Sequence, residues 1–223
     1  MSCWTDSEEE SIPLWKMYAG KEMHGIRISL DSDMFLKYHI PSGRFYGVDV
    51  YSKNEKSSIL PIEKIVTKDY LVVPSFNDSE MFFKKVLYVD NPFSEMRDVV
   101  QIQDMGNGEG AMKMNLKKIG LYKRKCWAFQ KEHRFTLTIL PNIWGDIDIN
   151  QMPKRIMQAV YDRIPPKLSF FDLEINPELL SKMKITLSPI CSEAEKVIVE
   201  SIVQKFAPKA IIRESMLKGL INR

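Results

Sequence analysis

The apolar positions of this chain change rhythm several times, and each rhythm predicts an element. Leu14, Trp15 and Tyr18 fall at helical spacing after Ser11, which suits a cap, and Pro13, which suits a first turn; Gly20 suits the stop. From His24 to Leu30 the pattern alternates by twos, with Ile26 and Ile28 on one face and Gly25 and Arg27 on the other, as in a strand. Asp31 or Ser32 then suits the cap of a short helix through Leu36. Aromatic and β-branched residues cluster from Arg44 to Tyr51 and from Val86 to Val89, predicting two more strands.

From Met112 to Phe129 the apolar residues Met112, Leu116, Ile119, Tyr122, Cys126 and Trp127 recur at helical spacing, with Gly120 as a weak point. Strand rhythm returns from Lys131 to Leu140. There Phe135, Leu137 and Ile139 share one face, while Gln130, Glu132, Arg134, Thr136 and Thr138 share the other. Gly106, Gly108 and Gly110 have neither an apolar strand before them nor a Lys-Ser/Thr pair after them, so they read as a turn rather than a phosphate loop. Residues 141–180 are broken by Pro153, Pro165, Pro166 and Pro177. Beyond them Lys184 to Leu187, a helix capped by Ser192 with Glu195 in a capping box, and Lys209 to Arg213 give the rhythm of a βαβ unit with parallel strands.

The expectation is one α+β domain over residues 1–223. Its mixed, largely antiparallel sheet is built from the His24, Arg44, Val86 and Lys131 strands with helices packed on one side. Residues 1–140 form a motif-bearing core, 141–180 an irregular connection and 181–223 a C-terminal βαβ extension.

Composition agrees with a folded chain: of 223 residues, 44% are hydrophobic and 27% charged, enough for a core without disulfides. Three scattered cysteines, Cys3, Cys126 and Cys191, suit a reducing compartment. No apolar run approaches membrane-spanning length, and the start, MSCWTDSEEE, is acidic where a signal peptide is basic and then apolar. The expected location is the cytoplasm, with no membrane partner. His24, His39 and His133 stand apart from each other and from the cysteines, so no metal site is expected. The net charge of +3 is small, yet between Lys113 and Arg134 eight basic residues face Glu132 alone, a local charge of +7.

Three segments together resemble the bacterial family of unknown function that includes the abortive-infection protein AbiGi. The first comprises Ser2-Cys3-Trp4-Thr5, Leu14-Trp15-Lys16-Met17-Tyr18-Ala19 and Gly25-Ile26-Arg27-Ile28; the second is Lys123 to Arg134, KRKCWAFQKEHR; the third is Ile185 to Ser215. The resemblance implies an intracellular bacterial protein with relatives in phage-defence loci. Two departures stand out: the family's N-terminal segment is missing, and Gln130 occupies the first position of its Glu-x-Glu pair.

Three functional readings follow. In the first, Gln130 and Glu132 resemble the element of ADP-ribosyltransferases that cleaves NAD, whose oxocarbenium-like transition state needs a carboxylate. Glu132 is then catalytic, Gln130 orients the acceptor, Arg134 contacts phosphate, and Trp15 or Tyr18 stacks on nicotinamide. In the second, the basic segment 113–134, with Lys123, Arg124 and Lys125 and interleaved Tyr122, Trp127 and Phe129, binds nucleic acid. The third is a protein-interaction module in which Trp4, Trp15 and Trp127 are core anchors. Against the first two stands the plain expectation that Glu132 and Arg134 form a solvated surface pair and that the aromatic residues at helical spacing are buried.

Overall fold

In a computed structural model that describes residues 1–40, 42–45, 48–50, 57–73, 79–106, 109–142 and 152–221, the α+β class holds. The single expected sheet is replaced by several small, mostly antiparallel ones. Ile26–Ser29 pairs with Lys184–Leu187, and Gly43–Phe45 with Val48–Val50. Leu87–Val89 runs parallel to Tyr122–Arg124, while Glu132–Phe135 lies between Ser2–Thr5 and Phe83–Lys85. Strands this short, cut by frequent turn residues, leave each ladder room for only a few bonds before the chain must turn away.

The chain divides into two compact units, each discontinuous in sequence: Met1–Asp6 with Lys37–Asp172, and Ser7–Leu36 with Leu173–Arg223. Among the described residues no helix is long and apolar enough to cross a membrane.

In the second unit the tail follows its pattern. Lys184–Leu187 and Ile211–Arg213 are parallel strands joined by the helix Glu193–Phe206. Ser192 accepts from the Glu195 N–H while the Glu195 carboxylate reaches back to the Ser192 N–H, completing the capping box. The first helix spans Ile12–Tyr18, with Ser11 at its N-cap and Trp15 buried. Gly25 sits so close to this helix's end that a Cβ there would lie 3.0 Å from Ala19 Cβ. The expected helix from Asp31 to Leu36 is absent. Phe35 bridges to Ile175 instead, with the Leu36 N–H on Glu174 and the Asn176 N–H on Met34, so backbone pairing with a distant segment outweighs the local cap signal.

In the first unit the expected helix from Met112 to Phe129 is replaced by four short pieces. They are the strand Glu109–Met114 in a hairpin with Val100–Gly106, a 3₁₀ turn at Leu116–Lys118, the strand Tyr122–Arg124 and a 3₁₀ turn at Lys125–Gln130. Gly120 breaks any continuous helix: its φ of +71° is left-handed, and a Cβ there would approach Met1 Sδ to 3.3 Å. Gly106 and Gly110 belong to the hairpin strands, whereas Gly108 lies outside the described residues. The run from Lys131 to Leu140 splits where Thr136 hydrogen-bonds the carbonyls of Met81 and Phe82, giving Glu132–Phe135 in one sheet and Thr138–Pro141 in another, paired with Tyr70–Val73.

Candidate functional site

The strand Glu132–Phe135 is the middle strand of its sheet, and its two faces are unlike. Across one face run Cys3, Arg134 and Lys84 in register, with Glu132 opposite Thr5 two residues away. Across the other, Phe83 stacks on His133 and on Phe135 with ring centroids 5.0 and 4.6 Å apart. The aromatic face fixes the strand, and the polar face carries the titratable groups. The ion pair on this face is not solvated, contrary to the expectation for a surface pair: Glu132, Arg134 and Lys84 are all buried, while Cys3 beside them is exposed.

Glu132 is the hub. Arg134 donates from Nε to Oε1 at 2.6 Å, and Lys123 donates from Nζ to Oε2 at 2.6 Å and also to Gln130 Oε1. The Cys3 thiol adds a weaker interaction with the same carboxylate. Burial alone would raise the carboxyl pKa, but bonds from Arg134, Lys123 and Cys3 outweigh it and bring it down to about 2. In the reverse direction, burial and then the bond to Glu132 raise the Cys3 thiol, which stays protonated. Further bonds complete the surround: the Glu132 N–H donates to the Tyr88 hydroxyl at 2.9 Å and an Arg134 terminal nitrogen to the Gly120 carbonyl at 2.8 Å. The left-handed turn at Gly120 thus aims a carbonyl at the guanidinium.

Lys84 stands in no motif, although a lysine two residues from both Phe82 and Val86 in a largely apolar run is a legible anomaly. Its ammonium donates to the carbonyls of Leu116 and Ile119 at 2.9 and 2.7 Å, and burial pushes its pKa down.

The residues chosen from sequence divide between the units. Lys123, Gln130, Glu132 and Arg134 come together as described. Gln130 is not on the strand with Glu132; it ends the 3₁₀ turn and reaches the cluster through Lys123. Trp15 and Tyr18 belong to the second unit. The Trp15 indole N–H donates to Glu10 Oε2 at 3.0 Å, and Glu10 also accepts from the Ser215 hydroxyl at 2.6 Å and the Met216 N–H at 2.7 Å. Trp15 is therefore a buried anchor whose polar atom is already engaged, whereas Tyr18 is 73% exposed. Glu10 itself stands in the acidic run at the start of the chain, where no local pattern marks it.

The basic segment is less naked than its formal charge. Lys117 pairs with Glu80, Lys118 with Asp98 and Lys125 with Asp90, at 2.6 to 2.8 Å, in addition to the Lys123 and Arg134 pairs with Glu132. The Lys125 pair is largely exposed on both sides, the kind that salt and solvent readily loosen. Its aromatic residues correct a second expectation. Trp127 and Phe129 are 38% and 42% exposed and lie with ring centroids 6.0 Å apart, so they are not core residues of a helix. Lys123 Nζ lies 5.4 Å from the Trp127 ring centroid. Arg124, Lys125 and Lys131, close to them in the chain, are exposed.

The chain matches none of the protein families, curated proteins or solved structures with which it was compared.

Proposed function

We propose that this chain is a non-catalytic binding module whose segment from Lys123 to Lys131 takes single-stranded nucleic acid. The observation that carries this reading is the adjacency of exposed rings and exposed cations: Trp127 and Phe129 side by side, with Arg124, Lys125 and Lys131 accessible near them in the chain. Exposed aromatic faces stack bases at about 1–3 kcal/mol each without regard to sequence, and cations follow the phosphates. The resemblance of the three segments to the AbiGi family supports a bacterial, cytoplasmic, abortive-infection-related setting for such a module.

The alternative is NAD-dependent ADP-ribosyl transfer by Glu132. In its favour, the carboxylate is held ionised. Against it, both carboxylate oxygens already accept from cations at 2.6 Å, which leaves the group poorly placed to bind a ribose hydroxyl and surrounds a developing oxocarbenium charge with positive neighbours.

Titration of the whole protein with fluorescent oligothymidylate and oligouridylate separates the two readings. Binding is expected to weaken steeply with salt, and Trp127→Ala is expected to reduce affinity about tenfold. Charge reversal at Arg124 and Lys125 should flatten the salt slope. Absence of strand binding, together with Glu132-dependent transfer of label from NAD to protein, would overturn the proposal.

A further inference from the structure

The turn that carries Trp127 and Phe129 is closed by a side-chain staple, and we infer that Gln130 and Glu132 are positioning residues for the aromatic pair. This inference rests on the reading of that pair as a base-stacking platform. Lys123 lies just before the Lys125–Gln130 turn, and its ammonium donates to Gln130, seven residues on, and Glu132, nine residues on. Both bonds bracket the platform. The next residue, Lys131, has a φ of +45°, a left-handed conformation that a lysine adopts only when its surroundings hold it there.

The staple is itself anchored at both ends. On the Glu132 side, Arg134 grips the carboxylate and the Tyr88 hydroxyl accepts the Glu132 N–H. On the Lys123 side, Tyr122–Arg124 pairs in parallel with Leu87–Val89, the strand that contains Tyr88. The two anchors close a loop through a single neighbouring strand. Lys123 therefore has little freedom, and the Trp127 ring over its ammonium inherits that restriction. A ring fixed before the ligand arrives avoids the ordering cost that a mobile side chain incurs on binding.

Gln130→Ala removes one arm of the staple while Glu132 still pairs with Lys123, and Glu132→Gln replaces the charged acceptor of the other arm with a neutral amide. Three quantities should be measured on each whole-chain variant: thermal unfolding, oligothymidylate affinity across a salt series, and Trp127 emission and acrylamide quenching, isolated by subtracting the same variant in a Trp127→Phe background. For Gln130→Ala the expected result is a moderately lowered melting temperature, as for any buried hydrogen-bonded side chain cut to alanine, together with affinity of the folded protein reduced about threefold to tenfold with the salt slope unchanged, and greater quenching of Trp127. A role confined to stability would lower the melting temperature and leave affinity and quenching of the folded protein alone. Wild-type affinity and wild-type quenching in Gln130→Ala would overturn the inference. If the wild-type chain binds no strand, the functional reading fails, while the quenching comparison still decides whether Gln130 orders the ring.

Discussion

Glu132 and Glu195 have the same titration and different reasons for it. Each carboxyl is brought down to about 2. For Glu195, near the surface, the donors are the backbone and hydroxyl of Ser192, three residues back, and then His24, whose Nδ1 lies 2.5 Å away. For Glu132, 5% exposed at its side chain, burial works against the charge, and cations fixed by separate strands and turns overcome it. A depressed pKa alone therefore does not mark a functional carboxylate. What distinguishes Glu132 is how much else depends on it.

The comparison is broken most directly by removing the carboxylates. Glu132→Leu leaves Lys123 and Arg134 with no counter-charge beneath the surface, and urea unfolding should show a loss of about 3–5 kcal/mol. A loss below about 1 kcal/mol would mean that the pair is wet. Ser192→Ala should cost about 1 kcal/mol by the same measurement, the ordinary value of a helix cap.

Acid sharpens the contrast. Both groups have lowered folded-state pKa values, so their contribution is fully present above the ordinary carboxylate value of 4.5 and is lost as pH falls towards about 2. Because the two shifts are equal, the loss of stability over that window should shrink by about the same amount in Glu132→Gln and in Glu195→Gln; a much smaller change in Glu195→Gln would show that solvent screens the surface group. The smallest effect is expected from salt: raising ionic strength should weaken the exposed His24–Glu195 pair by a fraction of a kcal/mol and leave the buried Glu132 cluster unchanged.

The same contrast explains what the sequence made legible. The capping box joins residues three apart, so its pattern is local, and the strand, helix and strand around it are legible in the sequence. Glu132 could be singled out because it stands in a conspicuous motif. Its burial could not, because that follows from Ser2–Thr5 and Phe83–Lys85 pairing on either side, contacts with no local signature. The failed helix at Met112–Phe129 has a similar origin: apolar residues every three or four positions are also what successive short turns and strands provide, and only the left-handed backbone at Gly120 separates the two. Trp15 was legible as a core residue; its partner Glu10 was not, since nothing in an acidic run marks the one carboxylate that turns inward.

The carboxylate of Glu10 also constrains the order of events during synthesis. Its bond to the Trp15 indole is available as soon as the first helix emerges, but Ser215 follows it by 205 residues. The whole interval from Lys37 to Asp172, which belongs to the other unit, is translated in between. The early half of the second unit must therefore wait, with its strand edge and Trp15 unprotected, while the first unit has all its residues in hand. A chain stopped before Leu173 would carry that early half without the strands and helix that complete its unit.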